Sequence, residues 1–554
     1  MAEQNLSAVE KIKMASDALR GTLAQSLEDE LTGAIREPDQ ALIKFHGMYQ
    51  QDDRDVREQR SAKKLEWLYS YMIRLRVPGG FFTPLQWIGL HHIAGEHSTG
   101  VIKITTRQTI QLHGILKSHI KPTIKAFNTL HLDSIAACGD VNRNVVCSAH
   151  PKQSAIHGQV FEYAGKISAL ALPKTNAYYE IWLDEEKIGD KKLEEDPLYQ
   201  DRYLPRKFKI AIAIPPNNDV DVFTNDLGLI AIIENDELKG FNMAVGGGLG
   251  TTHGNEDTYP RLGTVLGFVS GEERVLKAAY EIITIQRDHG NRSDRKFARL
   301  KYTLDRMGID AFKHELEKRC GFKLEEPKPF EFNERKDYFG WHQNHQGRWY
   351  YTVFVENGRV LDNKKQPLKT ALYEIAKTGK ANFRFTCNQN IIVSDVDAAD
   401  KDEIENILRE FNIISQTEQA SAVRKNSIAC VALNTCPLAL AEAQRYLPSL
   451  ITKIETLLDK YQLGEEELSV RMTGCPNGCG RPYVAEIGFV GTAYGEYNVH
   501  LGGDRLGMRL NKKYKEKLNE KAILDELDNL FAVYSIERNV NETFGDFAVR
   551  KSWV

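Results

Sequence analysis

Four of the eight cysteines in this 554-residue chain are placed to do chemistry. Cys430 and Cys436 are separated by five residues, Cys475 and Cys479 by three, and 38 residues lie between the pairs. Four thiolates can hold zinc or an iron–sulfur cluster. Zinc sites usually use knuckles with two to four residues between cysteines, and the five-residue spacing followed by "CPNGCG" is unusual for them. Gly474, Gly478 and Gly480 would let the backbone approach a bulky inorganic core and turn amides toward its sulfides. The spacing therefore favours [4Fe–4S] over zinc, and either over four buried structural thiols. Cys138, Cys147, Cys320 and Cys387 do not cluster and read as ordinary thiols.

A second set of residues could handle an anion. Arg74 and Arg76 in "IRLR", and Lys207 and Lys209 in "RKFK", stand two apart, the spacing that puts strand side chains on one face. Arg107 lies in "TTRQ" and Arg143 in "VNRN". On charge alone such residues are more often solvated surface groups. "VGGGLG" (Val245 to Gly250) lacks a Walker lysine or a dinucleotide fingerprint and reads as a tight turn.

An internal repeat organises the segments that carry these residues. "IKITTRQTIQL" from Ile102 lines up with "FRFTCNQNIIV" from Phe383, and "FNMAVGG" from Phe241 with "YNVHLGG" from Tyr497. "PPNND" (Pro215 to Asp219) falls on "CPNGC" (Cys475 to Cys479), and "CGDVNRN" (Cys138 to Asn144) on "CVALNTC" (Cys430 to Cys436). This register sets Pro215, Asp219 and Asn144 opposite Cys475, Cys479 and Cys436, so only the second copy can hold four thiolates. Runs such as "KIAIAI" and "LIAII" predict strands, and "LALAEAQRYLPSLITKIETLLDKY" (Leu438 to Tyr461) predicts a helix bent or interrupted at Pro448. The fold class is α+β, a duplicated pseudo-two-fold architecture with the cofactor between the halves.

Composition bounds the rest. Net charge is −3, with 42% apolar and 27% charged residues, which argues against a generic nucleic-acid or membrane-surface binder. No run of 18 apolar residues and no export signal is evident, so a soluble cytoplasmic protein is expected. A chain of this length needs several domains. The first 70 residues, with "QQDDRDVREQRSAKK", read as a polar extension with surface helices.

With these motifs in view, the chain resembles the sirohaem-dependent sulfite and nitrite reductases. "NTCPLALAEAQRYLPS", "MTGCPNGCGRPYVAEIGFVG", "FHGMYQQDDRD", "RVPGGFFT", "TTRQTIQLHGI", "VNRNVVC", "YLPRKFK" and "QRDHGNRSDRK" carry the likeness over nearly the whole length. Its N-terminal pieces look most like the bacterial NADPH-dependent type of assimilatory sulfur metabolism and cysteine biosynthesis. The resemblance implies six-electron reduction of sulfite to sulfide, with electrons from NADPH through a flavoprotein partner subunit. It implies a [4Fe–4S] cluster on Cys430, Cys436, Cys475 and Cys479, with Cys479 also bridging to the iron of a sirohaem. Arg74, Arg143, Lys207 and Lys209 would contact substrate, the lysines serving as candidate proton donors. Arg107, Gln111, His113, Arg206 and Asn477 would bind the sirohaem, whose eight carboxylates need a basic cradle. Further basic residues of 287–301 could join them, but the sequence does not choose among these.

The expected domains are 1–71, an extension that could dock the flavoprotein; 72–136 with 337–416, a composite ferredoxin-like domain; 137–336, a first sirohaem and substrate domain; and 417–554, the cluster domain. Leu75 lies between Arg74 and Arg76, and that segment shows no obvious Tyr–Cys pair of the kind some ferredoxin-dependent relatives cross-link. Lys209 favours sulfite over nitrite. The rivals are a ferredoxin-dependent sulfite or nitrite reductase, a non-catalytic [4Fe–4S] carrier, and a zinc-stabilised binding module.

Overall fold

A computed structural model describes residues 5–150, 154–174, 195–364 and 366–554, and by backbone the strand pair Trp182–Leu183 and Glu186–Lys187. Four five-stranded sheets carry the architecture, two from each copy of the repeat. The first sheet runs Met48–Asp52, Tyr69–Arg74, Ile110–Ile115, Ile102–Ile104, and ends on Arg359–Val360 from the second half. Its counterpart runs Gly340–Gln343, Trp349–Val353, Ile391–Val396, Asn382–Phe385, and ends on Phe81–Phe82 from the first half. Each half thus lends a two-residue strand to the other's sheet, with Arg359 opposite Lys103 and Phe81 opposite Arg384.

The exchange is locked by matched glutamines. Gln108 and Gln389 both take left-handed backbone (φ 48° and 70°). Gln108 donates to the carbonyls of Cys147 (2.7 Å) and Phe385 (3.0 Å) and accepts from Cys147 N. Gln389 donates to the carbonyls of Ala429 (3.0 Å) and Ile104 (3.4 Å) and accepts from Ala429 N. Gly80 and Gly358, both at positive φ, lie against them; a Cβ there would stand 2.9 Å and 3.0 Å from the two glutamine Cβ atoms. Only glycine admits so close an approach with that backbone.

The other two sheets are also a pair. Val146–Cys147, Ile210–Ala213, Leu227–Glu234, Glu237–Val245 and Thr264–Val269 match Ser427–Ala429, Val470–Thr473, Ile487–Ala493, Glu496–Leu501 and Lys512–Leu518 in order and direction. Near-continuous apolar runs such as "IAIA" are buried on both faces, as strands in a parallel pairing should be. Across the halves Trp87 stacks on Phe383 at 4.9 Å, within one apolar core that runs through both ferredoxin-like sheets.

Several sequence expectations change here. The strand register sets Ile210 opposite Leu227 and Val470 opposite Ile487, which confirms Pro215 on Cys475 and Asp219 on Cys479. The same ladders set Val146 on Ala211 and Ile428 on Arg471, so Cys147 matches Ala429 and Ser148 matches Cys430. The alignment of "CGDVNRN" with "CVALNTC", and of Asn144 with Cys436, is therefore wrong by ten residues; a shared cysteine and asparagine misled it. The helix expected from Leu438 begins at Leu447, with Pro448 in its first turn, where its missing N–H costs nothing. Residues 438–446 instead make a loop tied to the cysteine segment, Leu440 N and Ala441 N donating to Gly474 O.

The N-terminal segment is less superficial than expected. Glu10 and Lys13 are 1% exposed, Glu10 pairs with Arg292 at 2.6 Å, and Lys13 donates to Leu204 O at 2.9 Å. Met48–Asp52 is a strand of the first sheet, and Tyr69–Arg74 spans the expected boundary at residue 71.

Candidate active site

Gly474 N donates to Cys430 Sγ at 3.3 Å, and Asn477 Nδ2 to Cys475 Sγ at 3.4 Å, so the loop turns polar hydrogens toward its own sulfurs. Cys475 is buried, Cys430 and Cys436 are half-buried, and Cys479 is exposed. Burial pushes the thiols of Cys430 and Cys436 up to about 12, and repulsion from Cys479 adds to both. Cys475 is raised by burial and then by Cys479. Thiols so disposed need a cation before they ionise together. Among the described residues no three His, Cys, Asp or Glu side chains stand close enough to share one metal ion.

The N-terminal segment braces this loop. Asn434 donates to Asp53 Oδ1 at 2.6 Å, and Arg54 Nη1 to Ala439 O at 2.7 Å, on either side of Cys436. Arg445 pairs with Asp55. Nothing in "QQDDRD" signalled this, because the partner lies more than 370 residues away.

These basic residues gather from three segments. Thr106 Oγ1 donates to Cys479 O at 3.1 Å, which brings the Arg107 loop against the cysteine loop. Arg107 donates to Asn225 Oδ1 (2.8 Å) and to the carbonyls of Asn144 and Ile210, yet its buried Nε has no partner. Burial lowers it to about 10. Arg143 is 9% exposed and donates to the carbonyls of Gly139 (2.9 Å) and Ala137 (3.2 Å). Arg206, Lys207 and Lys209 make no side-chain hydrogen bond or ion pair with any described residue. Lys207 and Lys209 are half-buried and alternate with buried Phe208 and Ile210, so they do share a facing. Burial, then Arg206, brings Lys207 down to about 7. Lys209 lies well below the usual lysine range, through burial and then the charges of Lys207 and Arg107. Five cations without a carboxylate partner fit a polyanionic group.

Arg74 reaches this region by another route. It donates to Cys138 Sγ at 3.1 Å, and Gln111, with its amide oxygen toward Arg74, accepts from Arg74 Nε at 3.0 Å and donates to His113 Nε2 at 3.3 Å. His113 Nδ1 meets Gln51 (3.0 Å) and Thr435 (3.4 Å), beside Cys436. Burial, then Lys103 and Arg74, lowers His113 to about 3, so it is neutral. Arg76 does not share the facing of Arg74: the strand ends at Arg74, and Arg76 forks onto Asp133.

Between 287 and 301 the structure assigns counter-ions. Arg292 pairs with Glu10, Arg295 with Asp140 and Arg299 with Asp226, while Lys301 donates to the carbonyls of Gly248 and Gly250. These residues hold the walls. The "VGGGLG" turn they hold lies on the cysteine loop: Thr251 N donates to Pro476 O at 2.9 Å. Of the other thiols, Cys138, Cys147 and Cys387 are buried and Cys320 half-buried.

Two family models match the chain. The "Nitrite/Sulfite reductase ferredoxin-like half domain" covers residues 68–130 and 342–411, which hold most strands of the two exchanged sheets. The "Nitrite and sulphite reductase 4Fe-4S domain" covers 162–324, the copy without the four clustered cysteines. A sulfite reductase [NADPH] hemoprotein beta-component of Leptospira biflexa is 65% identical over 98% of this chain and 97% of its own. The chain belongs to the nitrite and sulfite reductase family. A second member of the family, the hemoprotein beta-component of Staphylococcus haemolyticus, is 51% identical over 100% of this chain and 96% of its own. The solved structure of Mycobacterium tuberculosis NirA protein shares this reductase fold, with a TM-score of 0.79 at 24% identity, covering 98% of this chain and 96% of that one. No described helix is long and apolar enough to cross a membrane.

Proposed function

We propose that this chain is the hemoprotein subunit of an assimilatory, NADPH-type sulfite reductase, a cytoplasmic enzyme that reduces sulfite to sulfide with six electrons. One observation carries the reading: a cradle of arginines and lysines without carboxylate partners is joined, through Thr106 and Cys479, to a four-thiol loop. A basic pocket alone would suit many anions, and four thiols alone would suit an electron carrier. Together they suit an enzyme that loads electrons onto a bound oxyanion.

Cys430, Cys436 and Cys475 would hold the [4Fe–4S] cluster, and Cys479 both cluster and sirohaem. When bound, the pair supplies a redox-active iron for the oxyanion with an electron store beside it. Arg107, Arg206, Gln111, His113 and Asn477 would face the sirohaem and its carboxylates. Arg74, Arg143, Lys207 and Lys209 would bind sulfite and hold charge as its oxygens leave as water. Lys207, with a value near 7, exchanges a proton readily at neutral pH, which suits it to deliver protons at Nζ. A carboxylate-rich cofactor alongside would raise that value and keep more of the lysine charged.

Electrons would come from a flavoprotein partner, since the chain carries no flavin or nicotinamide fingerprint. Residues 1–71 would provide part of the docking surface. Leu31 is 97% exposed there, and Leu65, Trp67 and Leu68 are also exposed. Residues 72–136 with 337–416, 137–336, and 417–554 would be the three domains around the site.

The test is the visible spectrum, with iron and sulfide analysis, followed by sulfite turnover with an artificial reductant. Bands of haem together with cluster, and turnover of sulfite above nitrite, are expected. A colourless zinc protein, or a cluster without haem, would sink the reading. Faster turnover with ferredoxin than with a flavoprotein would overturn the donor.

A further inference from the structure

The duplication gives four basic residues of the candidate site counterparts in the other half. Arg107 matches Asn388 through the "TTRQ" and "TCNQ" loops. Arg143 stands four residues before Cys147, as Lys425 stands four before Ala429. Lys207 and Lys209 match Glu467 and Ser469 through the strands Ile210–Ala213 and Val470–Thr473. Asn388, Lys425, Glu467 and Ser469 all line a single cavity of about 240 Å³. The cavity is the two-fold counterpart of the candidate site.

Only Lys425 preserves a positive charge from the original set, yet the cavity is still basic. Five cationic side chains line it against three carboxylates. Each carboxylate is already engaged. Asp337 accepts from Thr386 (2.6 Å) and Asn390 (2.7 Å), Glu467 pairs with Arg505, and Glu334 with Lys336 at 3.3 Å. Lys425 makes no ion pair or side-chain hydrogen bond with any described residue. Arg471, 3% exposed and part of the lining, has a buried Nε without a partner. Its Nη1 and that of Arg335, another lining residue, must share Asp221 with Arg481. Three guanidinium groups share this one carboxylate, which leaves that wall of the cavity with a net positive field suited to an anion.

We propose that this cavity is a second anion site, binding a small inorganic oxyanion of the phosphate or sulfate class between Lys425 and Arg471. Its lining offers no thiol, and Glu467 and Ser469 replace the paired lysines, so the site is built to hold an anion and not to reduce one. The proposal rests on the cavity and is independent of which cofactors the other half carries.

Calorimetric titration of the purified holoprotein with inorganic phosphate tests it, repeated with sulfate, and with cyanide present to occupy any haem iron. One phosphate per chain should bind with cyanide present, more weakly as salt rises. Lys425→Gln should weaken it about tenfold, the loss expected for one charge-assisted contact. Lys425→Arg should restore it, and Lys296→Gln, at an exposed lysine outside the cavity, should leave it unchanged. Absence of binding once cyanide is present, or binding that Lys425→Gln leaves intact, overturns the proposal.

Discussion

Asp221 and Arg481 occupy equivalent positions in the two halves, and they pair with each other at 2.8 Å. Each precedes a short helical turn, Val222–Thr224 or Pro482–Val484, and each takes left-handed backbone (φ 49° and 58°). The duplication has placed an acid in one copy and a base in the other, so that the repeat binds itself across its own axis. Burial works against the Asp221 carboxylate, but Arg471, Arg481 and Arg335 outweigh it and hold it well below the usual range.

Asp221→Asn therefore strands three buried arginines. A loss of about 3–5 kcal/mol is expected, the range for breaking a buried pair by removing one partner. Chemical denaturation of the variant beside the parent measures it. An unchanged midpoint would mean that the pair does not hold the halves together.

Cys479→Ser should remove haem as well as cluster absorbance, because its sulfur is assigned to both groups. Cys320→Ser, at a half-buried thiol outside the loop, should leave both spectra intact. Native bands in the Cys479 variant would end the bridging assignment.

Lys207→Met and Lys209→Met should each cut sulfite turnover roughly 10- to 150-fold, from about 1.5–3 kcal/mol per lost charge-assisted contact if realised in the transition state. Cofactor content should stay at the parental level. Arg143 should behave less cleanly, since it could touch both anion and sirohaem. The assay is steady-state sulfite reduction with an artificial donor, which bypasses the flavoprotein. Parental rates in both lysine variants, at low and saturating sulfite, would remove these residues from the mechanism.

Asp219, the counterpart of Cys479, is 3% exposed and accepts from Ser148 Oγ at 2.6 Å. Burial, only partly opposed by His150 and Ser148, raises it to about 6. An acid raised on folding binds more protons folded than unfolded between its two values. Its contribution to stability is therefore full below about pH 4 and is lost as pH rises toward 6. Asp219→Asn should flatten this part of the stability–pH curve. A curve of unchanged shape from pH 4 to 7 would show that Asp219 is not the group responsible.

The cysteine pattern and the family likeness were legible in the sequence. Cysteine spacing is local, so "CPNGC" and Cys430-x5-Cys436 could be read directly. The duplication was legible in "TTRQTIQL" against "TCNQNIIV", because side chains on matching strands meet matching cores. Local signals also fixed the facing of Lys207 and Lys209. They failed where the match was carried by chance identities, as in "CGDVNRN", since a strand register is set by hydrogen bonds to neighbours and not by the letters themselves. They failed again at Leu438, where apolar helix-like periodicity lost to the pull of Gly474 on Leu440 and Ala441. Which charges remain free is settled by packing. Arg76, Arg292, Arg295 and Arg299 look no different in sequence from Arg107, Arg143 or Arg206. Folding gives the first four carboxylate partners from distant segments and leaves the others without one among the described residues. A charge's role depends on its counter-ion, and counter-ions are chosen by packing between segments 57 to 282 residues apart.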